Sequence, residues 1–310
     1  MDQRRGYLAG FAAYALWGFF PLYFHQLLPA GAVEILAHRV VWSLVVVAVL
    51  TVVLRRWRDV LALRHRPRTL AGLALAAVLI GINWGVYIYG VNSDQVIETS
   101  LGYFINPLVS VLFGVFVFKE RLRRPQWAAL ALGAAAFAVI TAGYGRLPWI
   151  ALTLALSFGG YGLVKKVLAV PPTDGLLLES ATLALPALAY LLVISAHGTS
   201  TFTSVSAWHT VALIASGVVT AGPLLLFAEA ANRIPLTAIG MMQYVTPILQ
   251  LACGLVFFHE KMPTEELAGF CIVWLALAVF TWDALAQSRP ARRASNRLQE
   301  PGAIDVAGTM

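Results

Sequence analysis

Apolar runs of about 20 residues recur along nearly the whole chain, separated by short stretches that carry most of its polar and charged side chains. Each run is long enough to cross the roughly 30 Å hydrocarbon layer of a bilayer as a helix. The pattern predicts ten spans, at roughly 6–26, 33–54, 70–91, 96–118, 126–143, 147–167, 175–196, 208–230, 236–258 and 265–285. The expected fold class is therefore an all-α membrane protein. Residues 287–310 are polar, basic and too poor in apolar groups to pack, which predicts a disordered tail.

The pattern repeats. Residues 100–120 read SLGYFINPLVSVLFGVFVFKE, and residues 240–260 read GMMQYVTPILQLACGLVFFHE. An offset of 140 places Pro107 on Pro247, Gly114 on Gly254, Phe118 on Phe258, Glu120 on Glu260 and, upstream, Asn92 on Asn232. Two halves of five spans follow, 1–145 and 146–286. An odd number of crossings makes the second half enter from the opposite face, so the repeats are expected to be inverted. That arrangement typifies secondary transporters, with the substrate site near the midplane between the halves.

Composition agrees with the pattern: 59% of residues are hydrophobic and 12% charged, against about 25% charged in soluble domains. The net charge of +7 matters less than its placement. With the N-terminus inside, 19 of the 22 Lys and Arg residues fall in segments on that side, which predicts cytoplasmic termini. The first run follows Arg4 and Arg5 as a signal peptide would, but no small-residue cleavage site follows it, so it is read as the first span. Cys253 and Cys271 both lie inside apolar runs, which argues against a disulfide framework.

Polar residues inside the spans are the candidate chemistry, because each costs free energy in hydrocarbon. Glu34 and His38 share a face of the second span with Arg39 one step round. They read either as a proton or carboxylate site or as an internal ion pair that admits Arg39 to the membrane. Asn83, Trp84 and Tyr87 sit at mid-membrane in GINWGVYIYG, where Gly81 and Gly85 form a small-xxx-small face. Trp17 in the first span, Tyr161 in the sixth, Tyr103 and Asn106 before Pro107, and Gln243 and Tyr244 before Pro247 complete the expected substrate cavity. Pro107 and Pro247 are expected as matched kinks, hinges whose freed carbonyls must face protein or water. Glu98 is expected to cap a helix, and Glu179 and Glu229 to snorkel or pair with Arg233. Glu120 and Glu260 stand at the unfavourable end of the helix dipole and are read as ties between adjacent spans.

Catalytic motifs are missing. HEKMP has Pro263 where a zinc-binding HExxH needs its second His, and the chain holds neither a G-x-S-x-G elbow nor a P-loop. An enzyme is not expected, and neither metal nor cofactor is.

AYALWGFFPLYF, EILAHRVVWS, GINWGVYIYGVN, SLGYFINPLVSVLFG followed by KERLRRPQW, SFGGYGLVKK and IVWLALAVF together resemble the RarD proteins, bacterial members of the EamA branch of the drug/metabolite transporter superfamily. The resemblance covers all but the tail. It implies ten helices in two EamA repeats, inner-membrane residence, cytoplasmic termini, the label "chloramphenicol-sensitive protein" and a permease role. It supplies no site residues. The sequence thus points to a secondary transporter, an exporter of a small metabolite or drug working by alternating access. Its partners would be a small-molecule substrate, a coupled proton or exchanged solute, and the bilayer, with no nucleic acid. A passive channel would instead show a continuous polar stripe, and a non-transporting sensor or assembly protein would show a larger soluble loop.

Overall fold

The computed structural model describes residues 2–282 except 120, 169, 232, 235–241, 265 and 280. Every regular element among the described residues is helical. They are α1 (Asp2–Gly18), α2 (Phe20–His25), α3 (Ala32–Val53), α4 (Trp57–Ala62), α5 (Pro67–Asn92), α6 (Val96–Phe118), α7 (Arg124–Tyr144), α8 (Trp149–Leu168), α9 (Pro172–Ala196), α10 (Ala207–Ala231), α11 (Val245–Val256) and α12 (Glu266–Val279), with a 3₁₀ turn at Leu63–His65. Seven of these, α3 and α5 through α10, are long and apolar enough to cross a membrane. Large apolar side chains such as Leu185, Leu192 and Phe116 project outward, exposed, from this bundle, as a lipid-facing belt requires.

The ten expected spans are realised unevenly. The first is divided at Phe19 into α1 and α2, with Pro21 in the first turn of α2, where a missing N–H costs no helical bond. The ninth and tenth are represented among the described residues by the shorter α11 and α12. The two prolines also differ. Pro107 lies inside α6, whereas Pro247 falls in the first turn of α11, so the expected pair of matched mid-helix kinks is not formed by the described residues.

The packing has a regular scheme. α3 packs on α9 and α6 on α11; α5–α8 contacts accompany α10–α1, α6–α8 accompany α11–α1, and α3–α10 accompany α9–α5. Matching α1, α3, α5 and α6 in order with α8, α9, α10 and α11 exchanges the last three pairs of contacts and maps α3–α9 and α6–α11 onto themselves. Backbone conformation echoes this: Lys119 (φ 57°) and His259 (φ 52°), 140 positions apart, are both left-handed. Two apolar cores straddle the halves, one around Phe24, Ile88, Leu154 and Leu213, the other around Leu101, Phe104, Ile140 and Phe270.

Glycines set the closest approaches. A Cβ at Gly217 would lie 2.4 Å from the backbone C and O of Trp42, and one at Gly102 would lie 2.9 Å from the Ala151 carbonyl oxygen. Gly81 and Gly85, the pair singled out by spacing, meet only side-chain methyls of Leu183 and Leu36, at 3.2 Å each. The backbone-to-backbone seams are therefore α3–α10 and α6–α8.

Helix ends are fastened by carboxylates. Glu260 accepts N–H bonds from Val96 (2.6 Å) and Ile97 (2.9 Å), capping α6. Burial pushes its carboxyl up from the ordinary value, against the downward pull of those two donors. The tie thus runs from the end of the ninth span to the fourth, across the halves, and not between adjacent spans. Glu120 lies outside the described residues. Glu98 does cap, but its partner is the neighbouring helix: it accepts from Ile150 N of α8 (3.0 Å) and pairs with Arg146 (2.8 Å). At the opposite end of the bundle Arg56 grips Asp174 through two bonds of 2.9 and 2.8 Å. Glu229 pairs with Arg5 and Arg233 as expected, while Glu179 pairs with Lys165.

Two stability predictions follow from these contacts, both read as thermal unfolding of the detergent-solubilised protein. Gly217→Ala forces α3 and α10 apart and should cost about 1–3 kcal/mol; Gly222→Ala, with nothing within 4 Å of its Cβ, should be neutral or stabilising by up to about 1 kcal/mol. Glu260→Ala removes the cap on α6 and should cost about 0.5–2 kcal/mol, so an unchanged midpoint would show that the cap carries no stability.

Candidate functional site

A set of polar side chains meets inside the bundle, and its hydrogen bonds run between the two halves of the chain. The Asn83 amide on α5 donates from Nδ2 to the Leu154 carbonyl (3.0 Å) and to Ser157 Oγ (3.2 Å) on α8, while its Oδ1 accepts from the Tyr103 hydroxyl on α6 (3.1 Å). Gln250 on α11 donates to the Tyr87 hydroxyl (3.2 Å) and to the Trp17 carbonyl (3.3 Å). Thr246 donates to the Tyr14 carbonyl (2.8 Å), and Tyr23 to the Ala212 carbonyl. The rings of Tyr87 and Tyr103 meet edge to face at 5.8 Å, and Phe158 packs against Tyr103 at 6.1 Å. At 1.5 Å per residue, Asn83, Tyr87, Tyr103 and Ser157 stand about 8–14 Å in from their helix ends, within the hydrocarbon layer.

Arg39 occupies the same region. Its residue is 4% exposed, and its guanidinium lies 4.1 Å from the Trp84 ring centroid, with Phe24 at 5.4 Å and Phe20 at 5.7 Å. Nε donates to Thr220 Oγ1 on α10 (2.9 Å). Tyr23, Tyr87 and Tyr103 lie close enough to interact with it electrostatically. Holding a cation at membrane depth costs about 2.5–3.5 kcal/mol on insertion scales. A desolvated cation–π contact of about 2 kcal/mol and one charge-assisted hydrogen bond of about 1.5–3 kcal/mol are enough to offset that.

The ion pair the sequence allowed between Glu34 and Arg39 is replaced by separate engagements. Glu34, also buried, accepts from Thr201 N (2.7 Å) and Ser200 Oγ (3.1 Å). Thr201 in turn meets His209 Nε2 (3.0 Å), and His38 stacks on Phe202 at 4.6 Å. Glu34, His38 and His209 therefore fasten the segment between α9 and α10 at the end of the bundle where Glu98 and Glu260 also lie.

Of the residues expected to line the cavity, Asn83, Trp84, Tyr87 and Tyr103 are brought together. Trp17 joins through its carbonyl and packs its ring on Tyr14 (5.4 Å) and Phe227 (6.0 Å). The others lie elsewhere. Tyr161 donates to Glu179 (3.1 Å) beside Lys165, at the lysine- and arginine-rich end. Tyr244 lines an apolar groove of about 420 Å³ with Phe104, Ile248 and Trp274. Gln243 is half-buried in the turn before α11. Asn106 is buried, with an Oδ1 that has no partner among the described residues. Thr220, Tyr23, Phe20 and Phe24 were not foreseen; hydroxyl and aromatic residues in apolar runs give no signal until a cation stands beside them. Cys253 and Cys271 are free. Among the described residues no cluster of His, Cys, Asp and Glu could hold a metal.

The EamA-like transporter family matches the chain twice, over residues 4–142 and again over 147–282. The chain is 52% identical over 298 residues to protein RarD of Streptomyces exfoliatus, covering 96% of this chain and 94% of that one. It is 40% identical over 294 residues to an uncharacterized transporter of Vibrio cholerae serotype O1, covering 94% of this chain and 97% of the relative. A solved crystal structure at 20% identity shares the fold, with a TM-score of 0.59 over 91% of this chain and 99% of that one. The chain is a multi-pass membrane protein and belongs to the EamA-like transporter family.

Proposed function

We propose that this protein is a secondary-active permease for a small metabolite or drug. In this reading the chain crosses the membrane ten times in two inverted five-helix repeats, 1–145 and 146–286, with both termini cytoplasmic, and works by alternating access, in the direction of export. The observation that carries the proposal is the polar seam. Asn83, held by Tyr103 of its own half, bonds Leu154 and Ser157 of the other, and Tyr87 accepts from Gln250 of the other, at membrane depth. A substrate site between inverted repeats is expected in that position, and aromatic rings around a few convergent polar groups suit a small amphipathic molecule. The exchangeable packing scheme and the double family match support the two repeats. The clustering of Lys and Arg in alternate loops supports the orientation.

Rocking one half against the other would break these cross-seam bonds and open the site to one face at a time. The substrate would then supply partners for the groups that the opening strands. Proteoliposomes loaded with a metabolite panel, with and without a pH gradient, test this. Saturable flux that responds to the gradient is the expected result, and linear, unsaturable flux would identify a channel instead. Asn83→Ala should lower the transport rate about tenfold or more, since it leaves the Tyr103 hydroxyl without its acceptor and removes both amide bonds to α8. Tyr103→Phe, which removes a single hydrogen bond, should have the smaller effect.

A further inference from the structure

We propose that Arg39 is the anion-recognition residue of this site, and that the transported solute is a small monocarboxylate with an aromatic or branched apolar body. The inference rests on the reading of the chain as a transporter with its site at the seam, and it narrows the class of substrate.

Arg39 is more than nine-tenths buried, yet no carboxylate pairs with it among the described residues. Its Nε is spent on Thr220, and its guanidinium carbon lies 4.1 Å from the Trp84 ring centroid. The Nη donors make no hydrogen bond among the described residues. The N–H donors of a guanidinium lie in its plane, so a ligand's acceptors meet it along its edge. The two parallel N–H groups of that edge match the two oxygens of a carboxylate. The acids that might have served are committed: Glu34 to Ser200 and Thr201, Glu179 to Lys165 and Tyr161, Glu229 to Arg5 and Arg233.

Charge counting sets the valence. Arg39 is the cation at this point of the seam, and Lys165 is already paired. One bound carboxylate therefore gives a neutral pair, whereas a phosphate dianion would leave a net charge in a medium that penalises it. The surroundings set the body of the solute. Phe20, Phe24, Trp84 and the tyrosines around Arg39 offer ring faces and edges and no second charge. A planar or branched apolar group fits among them, and a second ionised group does not.

The test uses the full chain in proteoliposomes. Labelled benzoate, phenylacetate and 3-methylbutanoate are compared with benzamide, phenylacetamide and 3-methylbutanamide, which share their shapes without the charge, alongside a panel of neutral and cationic metabolites. At least one carboxylate should enter saturably, about tenfold or more faster than its amide. Arg39→Gln should lower that rate about 10- to 100-fold, the loss expected for a charge-assisted hydrogen-bonded pair. Arg39→Lys, which keeps the charge but not the fork, should fall between. If Arg39→Gln does not assemble, competition on the wild-type protein decides, because carboxylates should inhibit uptake where matched amides do not. Equal handling of acids and amides, or an Arg39→Gln variant that transports like wild type, overturns the assignment while leaving a transporter. Saturable flux of neutral or cationic solutes alone does the same. An absence of saturable flux for every solute overturns the transport reading itself.

Discussion

Hydrocarbon offers no hydrogen-bond partner, so a polar group carried into it is costly unless the protein or something the protein binds supplies one. In this chain that constraint works across the midline. The amides of Asn83 and Gln250 and the hydroxyl of Thr246 all find acceptors on the other half of the chain. Had each been satisfied within its own helix, the halves would meet through apolar contact alone and could slide with little penalty. As built, the halves are registered by a few directional bonds. Those bonds must be exchanged together if the seam is to open, and Gly102 and Gly217 bring the flanking backbones close enough for them to form.

The ends of the bundle use a different currency of interaction. On one side, carboxylates accept from backbone N–H groups: half-buried Glu260 at the start of α6, and buried Glu98 at the start of α8 and Glu34 at the segment before α10. Each places a negative charge at a helix start or turn that presents free donors. On the other side, ion pairs between side chains predominate, with Arg56–Asp174, Lys165–Glu179 and Arg5–Glu229–Arg233. The capped side joins helices through backbone groups that have few alternatives. On the ion-paired side Asp174 and Glu179 are buried, while Arg56 and Arg5 reach Asp174 and Glu229 from more exposed positions.

How much of this was readable in the sequence depends on the kind of signal. The apolar runs gave the helical class and the membrane setting. Asn83 and Tyr103 were visible because an amide and a phenol in an apolar run have a cost that demands an explanation. The partners were not visible. Whether Glu34 would meet Arg39 or Thr201 depends on where a loop 167 residues later returns, and the spacing within one helix says nothing about that. Glu260 illustrates the same limit: its position at the wrong end of a dipole announced the need for a compensating group, but α6 as the provider follows only from the packing of α6 on α11. Whether Pro247 kinks a helix or stands near the start of one was likewise not visible, because a proline in an apolar run looks alike in both places.

The central claim is that the seam around Asn83, Tyr103 and Ser157 opens alternately to the two faces. Ser157→Cys, in a background with Cys253→Ser and Cys271→Ser, places a thiol at the Asn83 contact with little change in volume. Its labelling by a membrane-impermeant maleimide, applied to right-side-out and then inside-out vesicles, reads the accessibility directly. Labelling from one face at a time, shifted between faces by saturating substrate or an imposed pH gradient, is the predicted result. Labelling from both faces together under one condition, or from neither under any, would contradict the account.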